Sequence, residues 1–372
     1  MLYLFLLGRD PELSRLEVES VLEREKITFR ICDEGKNVLI IDCNELKPEI
    51  IKEFGGIIKI AKVISNSGRF DQIEDNLEKA NLYNGQNNKI EYYIDSFNTN
   101  LCSFVEDYLK NYFKGIGIKA LYKKTNDPSK LVNKNILNKG INIIIFRNYI
   151  GNVVAISNPL EFKKRDLSRP EVDYMKVISI RLAKILVNLT KVKNGGILLD
   201  PFCGSGTILQ EALLNKINVI GIDGDEKSIK QAEKNLNWLV KEYSLNSKFQ
   251  LIKHDSRKLS EKIKENSIDG VATEPYMGPY IRKLPTLEGA KMLINELSGL
   301  YTSLLNELRK VVKVGCRVVI IIPKIRTREN KIVFLDFKAI AEKNSFILAF
   351  KPVPYGYKEN KILREIYILE KI

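Results

Sequence analysis

Between Gly196 and Thr207 the chain reads GILLDPFCGSGT, and an acid and two glycines are the residues in it that could serve chemistry. An apolar run, Ile197 to Leu199, stops at Asp200; Gly204, Ser205 and Gly206 then lead into ILQEALL, whose spacing suits a helix. Strand, tight turn and helix make the opening unit of a doubly wound sheet, and glycine in such a turn lets a ligand lie against main chain at the helix start. The spacing is not G-x-G-x-x-G and no P-loop lysine follows, so neither a pyrophosphate nor a triphosphate cradle is indicated. Three further acids stand where later apolar runs stop: Asp223 closing INVIGID, Asp255 closing FQLIKHD, and Glu274 after IDGVAT. A carboxylate at a strand tip is a pure acceptor, suited to the hydroxyls or amine of a ligand. Asp223 takes that place rather than Asp225, which is set to cap the helix EKSIKQAEKNLNWLV. The one histidine, His254, reads as structural rather than as a base.

These acids need a sheet that brings strand ends together, and the C-terminal half supplies its elements. After Glu274 come a helix (MLINELSGLYTSLLNELRKVV), a strand (VGCRVVIIIP), a helix (FKAIAEKNSF) and a closing pair, FILAFKPVPYGY with ILREIYILEK. Two strands joined without a helix run antiparallel, so a mostly parallel α/β sheet with an antiparallel last strand is expected over residues 161–372. Ahead of it, LYLFLL, PELSRLEVESVLERE, ITFRIC, NVLIIDC, ELKPEIIKEF and IIKIAKVIS give β-α-β-β-α-β, a ferredoxin-like α+β module over residues 1–67. Residues 68–160 form a second α+β module, with strands at KIEYYID, GIKALYK and INIIIF and a helix at LCSFVEDYLKNYFKG.

Composition narrows the function classes. Of 372 residues, 44% are apolar and 28% charged, which describes a globular chain of two or three domains. The opening MLYLFLLG is far too short to span a membrane, so a cytoplasmic protein is expected. Five scattered cysteines and one histidine offer no zinc set and read as free thiols. The net charge of +14 arises after residue 80: residues 1–80 hold 12 Lys and Arg against 16 acids, residues 161–372 hold 38 against 25. Such a balance suits a polyanion. Lys114, Lys119, Lys123, Lys124, Lys130, Lys134, Lys139 and Arg147 face a single acid, Asp127, with Tyr112, Phe113 and Tyr122 among them. Lys163, Lys164, Arg165 and Arg169 cluster just before Pro170, and a helix ending LAKILVNL follows.

DPFCGSGT resembles the first motif of S-adenosylmethionine-dependent methyltransferases, particularly those acting on exocyclic amines of nucleic-acid bases. The arrangement R-x-x-x-R-P from Arg165 to Pro170, then LAKILVNL, then LLDPFCGSGT, is similar to the archaeal and eukaryotic tRNA guanosine-10 N2-methyltransferase group. Its members carry a ferredoxin-like piece and a THUMP domain ahead of a Rossmann-like methyltransferase domain, the order read here. The resemblance implies S-adenosylmethionine as cofactor, held by Asp200, Phe202, Gly204, Gly206 and Thr207, with Asp223 on the ribose and Asp255 on the adenine amine. It implies tRNA as partner, gripped by Lys123, Lys124, Lys163, Lys164, Arg165 and Arg169, and no metal.

At the fourth motif such enzymes show Asp, Asn or Ser, then Pro-Pro and an aromatic; here Glu274-Pro275-Tyr276 stands instead. A side-chain oxygen and a proline carbonyl hold the target amine with its lone pair toward the methyl group, while an aromatic ring stacks on the base. Glu274, Pro275 and Tyr276 can supply all three, with one methylene more and one proline fewer than usual. The expected reaction is methylation of guanosine N2 in tRNA. A guanine in ribosomal RNA, an amine of DNA, and an RNA-binding protein with a degenerate site stay open as alternatives.

Overall fold

The computed structural model describes residues 1–83, 87–123, 140–172, 178–357 and 359–372. They cluster into two compact units, residues 1–18 with 25–164 and residues 19–24 with 165–372.

The first unit contains β1 (Leu2–Leu7), α1 (Pro11–Arg24, whose last turn clusters with the second unit), β2 (Phe29–Glu34), β3 (Val38–Cys43), β4 (Ile57–Ser65), α2 (Phe70–Lys79), β5 (Lys89–Phe97), α3 (Cys102–Gly115), β6 (Lys119–Tyr122), β7 (Gly140–Phe146) and β8 (Tyr149–Ile156). Among the described residues its strands form one eight-stranded sheet in the order β2-β3-β1-β4-β8-β7-β5-β6. The two expected modules therefore share a sheet, through antiparallel pairing of β4 with β8. ELKPEIIKEF, expected as a helix, is a 3₁₀ turn over Pro48–Glu53. Six residues close too few α-helical bonds to repay nucleation, and Phe54 leaves in extended conformation to pack on Phe5. β8 is absent from the strands read in the sequence. It follows a two-residue turn in which Arg147 takes φ +52 without a glycine to announce it.

The second unit contains α4 (Pro159–Ser168, which straddles the division between the units), α5 (Ile180–Leu189), β9 (Ile197–Asp200), α6 (Thr207–Leu214), β10 (Asn218–Asp223), α7 (Glu226–Glu242), β11 (Phe249–Lys253), β12 (Ile268–Thr273), α8 (Leu287–Val311), β13 (Val312–Arg326), β14 (Ile332–Phe334), α9 (Phe337–Lys343), β15 (Phe346–Leu348), β16 (Val353–Tyr355) and β17 (Ile362–Lys371). Its main sheet runs β11-β10-β9-β12-β13-β17-β15, parallel from β11 to β13, with β17 antiparallel between β13 and β15. The expected antiparallel last strand is β17, inserted rather than added at the edge. Val318, Ile320 and Ile322 of β13 and the apolar face of α8 (Leu297, Tyr301, Leu304, Leu305, Leu308) form the core on one side of this sheet. Strand order reverses between β9 and β12, the place where ligands settle at the carboxyl ends of a doubly wound sheet.

Candidate active site

The turn after β9 is built around Asp200. Its carboxylate is buried and accepts from the Phe202 amide (3.1 Å) and from Thr273 Oγ1 (2.7 Å), which binds the first strand end to the fourth. Burial pushes the Asp200 carboxyl up to about 7, against the pull of those donors and aided by the charges of Asp223 and Glu274. Gly204 and Gly206 sit at φ +51 and +85, so both use the left-handed backbone open to glycine. A Cβ on Gly204 would meet nothing within 4 Å, leaving open space against the main chain there. The Gly204 amide donates to Asp223 Oδ2 (2.9 Å) and the Asp225 amide to Oδ1 (2.9 Å). Asp223 is thus fixed to the turn while each oxygen keeps a lone pair. Asp225 caps α7 as expected, accepting from the Lys227 amide. Phe202 is half-buried against the core.

Two side chains that the sequence assigned to RNA fasten this turn instead. Arg165 is buried in a bidentate pair with Glu211 of α6, both bonds at 3.2 Å. Arg169, also buried, donates to Thr207 Oγ1 (3.0 Å) at the first residue of α6 and pairs with Asp166. This corrects the expectation that Arg165 and Arg169 grip phosphate: their charges are spent on holding α6, and with it the glycine turn. Thr207 is engaged by Arg169. Lys163, Lys164 and Lys123 are exposed, and Lys123 lies 3.6 Å from Glu91. Lys124 lies outside the described residues, as do Lys130, Lys134 and Lys139. Of the interleaved aromatics, Phe113 is buried and Tyr122 stacks on Tyr92, so they are core rather than a stacking platform. Arg147 pairs with Asp33.

Asp255 begins a 3₁₀ turn and is clasped by Arg257, whose Nη2 lies 2.7 Å from Oδ2; that guanidinium holds its carboxyl down to about 2. An adenine amine there would share an acceptor already held by a cation. His254 Nε2 lies 3.0 Å from the Lys258 carbonyl, a local contact that fits the structural reading.

At the end of β12 the backbone delivers Glu274, Pro275 and Tyr276. The Glu274 side chain is 13% exposed, and its Oε1 lies 3.2 Å from Arg364 Nε on β17. That contact is an ion pair without a hydrogen bond: Oε1 is buried and has no donor. Burial raises the Glu274 carboxyl above its ordinary range and Arg364 opposes the rise. Pro275 is buried, while the Tyr276 ring is 50% exposed. The Tyr276 carbonyl accepts from Tyr301 Oη of α8 (2.8 Å). Burial keeps that phenol protonated far above its usual range, which makes it a fixed donor. Beyond Tyr276, Arg328 Nε donates to the Leu284 carbonyl (2.7 Å), and Lys361 Nζ to the carbonyls of Ile281 and Arg282. The sequence reading did not find Thr273, Tyr301, Arg328, Lys361 or Arg364, because each acts through a fold contact with no local spacing to mark it.

The family model described as RMKL-like, methyltransferase domain, matches residues 171–348, and a DNA methylase model matches residues 50–234, ending before Glu274. A protein of Methanothermobacter thermautotrophicus named tRNA (guanine(10)-N2)-dimethyltransferase is 28% identical over 72% of this chain and 75% of its own. One of the same name from Methanocaldococcus jannaschii is 32% identical over 42% of this chain and 44% of its own. The crystal structure of TrmN from Thermus thermophilus shares the fold over the whole of both chains, with a TM-score of 0.54 at 16% identity. Among the described residues no helix is long and apolar enough to cross a membrane. Residues 171–348 match a methyltransferase-domain model, in a chain similar over most of its length to a protein named tRNA (guanine(10)-N2)-dimethyltransferase.

Proposed function

We propose that the protein transfers methyl from S-adenosylmethionine to the exocyclic N2 amine of a guanosine in tRNA. The observation that carries this reading is the donor-free, buried carboxylate oxygen of Glu274, next to the strand-end turn that Asp200 builds. The names of the relatives supply the nucleotide and the tRNA.

The residues at the strand ends fit the cofactor. The open space over Gly204 admits it against main chain, Asp223 keeps acceptors for the ribose, and Asp200, Phe202, Gly206 and Thr207 shape the turn around it. Asp255 is the weaker member, because Arg257 competes for it. Bound S-adenosylmethionine supplies a methyl group on a sulfonium sulfur, which the amine's lone pair takes while the C–S electrons remain with sulfur.

Everything else falls to this chain. A guanine amine is barely basic, so it must be oriented and its protons drawn away as positive charge develops on nitrogen. Glu274 accepts one N–H and takes that proton, becoming a neutral acid that returns it to water. The Pro275 carbonyl accepts the other, and the exposed Tyr276 ring stacks on the base once it has left its helix.

Residues 1–67 and 68–160 serve in this reading as ferredoxin-like and THUMP-like modules that position tRNA, ahead of the methyltransferase domain at 161–372. Lys123, Lys124, Lys163 and Lys164 contribute to the grip, and the enzyme works in the cytoplasm. Incubation with tRNA and methyl-labelled cofactor, followed by mass spectrometry of the nucleosides, tests the proposal: labelled N2-methylguanosine is expected. Label only in ribosomal RNA or DNA bases would move the substrate, and tRNA binding without label would mark a binding protein.

A further inference from the structure

We infer that Arg364 is a positioning residue for the reaction: its guanidinium, 3.2 Å from Oε1, fixes the Glu274 side chain at the end of β12, so that the two residues act as one acceptor. The inference rests on the reading of Glu274 as proton acceptor and adds to it the group that makes this acceptor work.

Glu274 is the one group of the fourth motif that must be both desolvated and charged, two demands that oppose each other. The charged and titratable groups around it are few. Asp200 from the end of β9 and Tyr301 from α8 both feel its charge, Tyr276 follows it in the chain, and Arg364 comes across from β17. Arg364 alone is a cation. Among the described residues, Glu274 is also the one acid in ion-pair contact with Arg364, since the neighbouring Glu365 is taken by Lys324.

The geometry fits help rather than neutralisation. At 3.2 Å the guanidinium supplies charge, but its N–H does not satisfy Oε1, which stays without a donor. An oxygen that is electrostatically supported and not hydrogen-bonded is ready to accept from an amine. The length of the side chain belongs to the same device: retracting the carboxylate by one methylene, about 1.5 Å, would take it out of ion-pair range of Arg364.

The experiment is a pH profile of single-turnover tRNA methylation by Arg364→Met and Arg364→Gln, two uncharged replacements of different polarity, beside Arg364→Lys and Glu274→Gln. Without the cation, Glu274 holds its proton to higher pH. Both uncharged variants should lose at least about tenfold at pH 6 and recover as the pH is raised, the size expected from removing an adjacent opposite charge. Arg364→Lys should stay closer to wild type, and cofactor affinity by calorimetry should not change. The carboxyl carbon of Glu274, followed by ¹³C NMR and identified through Glu274→Gln, should titrate at higher pH in Arg364→Met. Adding Arg364→Met to Glu274→Asp should cost little more, because the shorter acid has already lost the pair.

A loss that is equal at all pH values, or a Glu274 resonance unmoved by Arg364→Met, overturns the inference while leaving Glu274 as acceptor. Wild-type rates in Glu274→Gln would instead overturn the acceptor itself, and the role of Arg364 with it.

Discussion

The two sheets use their strand ends differently. In the C-terminal sheet β9, β10, β11 and β12 are parallel, so Asp200, Asp223, Asp255 and Glu274 all leave on one edge. In the N-terminal sheet β1 is antiparallel to β3 and β4, β4 to β8, and β8 to β7, so strand ends alternate between edges across that stretch, and only β7, β5 and β6 run parallel. Its buried polar group sits in mid-sheet instead: Lys59 Nζ lies 2.6 Å from Asp95 Oδ2, which also accepts from Asn142 Nδ2 at 3.2 Å. Both sheets bury carboxylates, but the parallel run β11-β10-β9-β12 brings its strand-end acids out on one edge. A pair such as Lys59 and Asp95 holds the sheet together; a set such as Asp200, Asp223 and Glu274 is what the proposed reaction would use.

That contrast can be broken most sharply in the scaffold. Lys59→Met leaves Asp95 without its cation in a dry interior and should destabilise the N-terminal unit by about 3–5 kcal/mol, seen in urea unfolding. Lys59→Met with Asp95→Leu should recover most of that loss.

Asp200 tests the other sheet through pH. Its carboxyl in the fold stands at about 7 against 3.8 for the free group. Between those values the fold keeps a proton that the unfolded chain has released. The associated stability is full below the ordinary carboxylate range and disappears as pH rises through 7, at most about 4 kcal/mol. Melting temperatures from pH 4 to 8 should fall with this trend, and Asp200→Asn should flatten it.

Glu274→Gln keeps shape and one acceptor but no charge. Turnover should fall about 10²-fold or more, with tRNA and cofactor affinities nearly intact, measured in single-turnover assays. Asp223→Ala should weaken S-adenosylmethionine by about 1–3 kcal/mol in calorimetry, the scale of lost hydrogen bonds to a charged group. Smallest of all, Lys163→Ala should reduce the salt slope of tRNA binding by about 1, and the same change at Arg165 should lower stability rather than that slope.

The last contrast shows where sequence reading stops. The glycine turn, the strand-end acids and the parallel sheet were legible because each depends on neighbours within one strand–turn–helix unit. The charge of Arg165 and Arg169 was equally plain, but its destination was not: their partners Glu211 and Thr207 lie on another helix. Arg364 pairs with an acid 90 positions earlier, across a strand crossing that composition does not record. β8 escaped notice because its turn uses a non-glycine residue at positive φ, and the 3₁₀ turn because apolar spacing does not say how many residues will follow.

The supports of the loop after Glu274 share one property. Tyr301, Lys361 and Arg328 reach it from outside and grip main-chain oxygens, at positions 276, 281, 282 and 284. Every residue type presents that oxygen, so these grips do not depend on which side chains stand at those four positions. Tyr280, Arg282 and Lys283 are exposed on it and can be exchanged without disturbing those grips. In the proposed reaction, preference for the nucleotides flanking the target can therefore change along this segment without altering those main-chain grips.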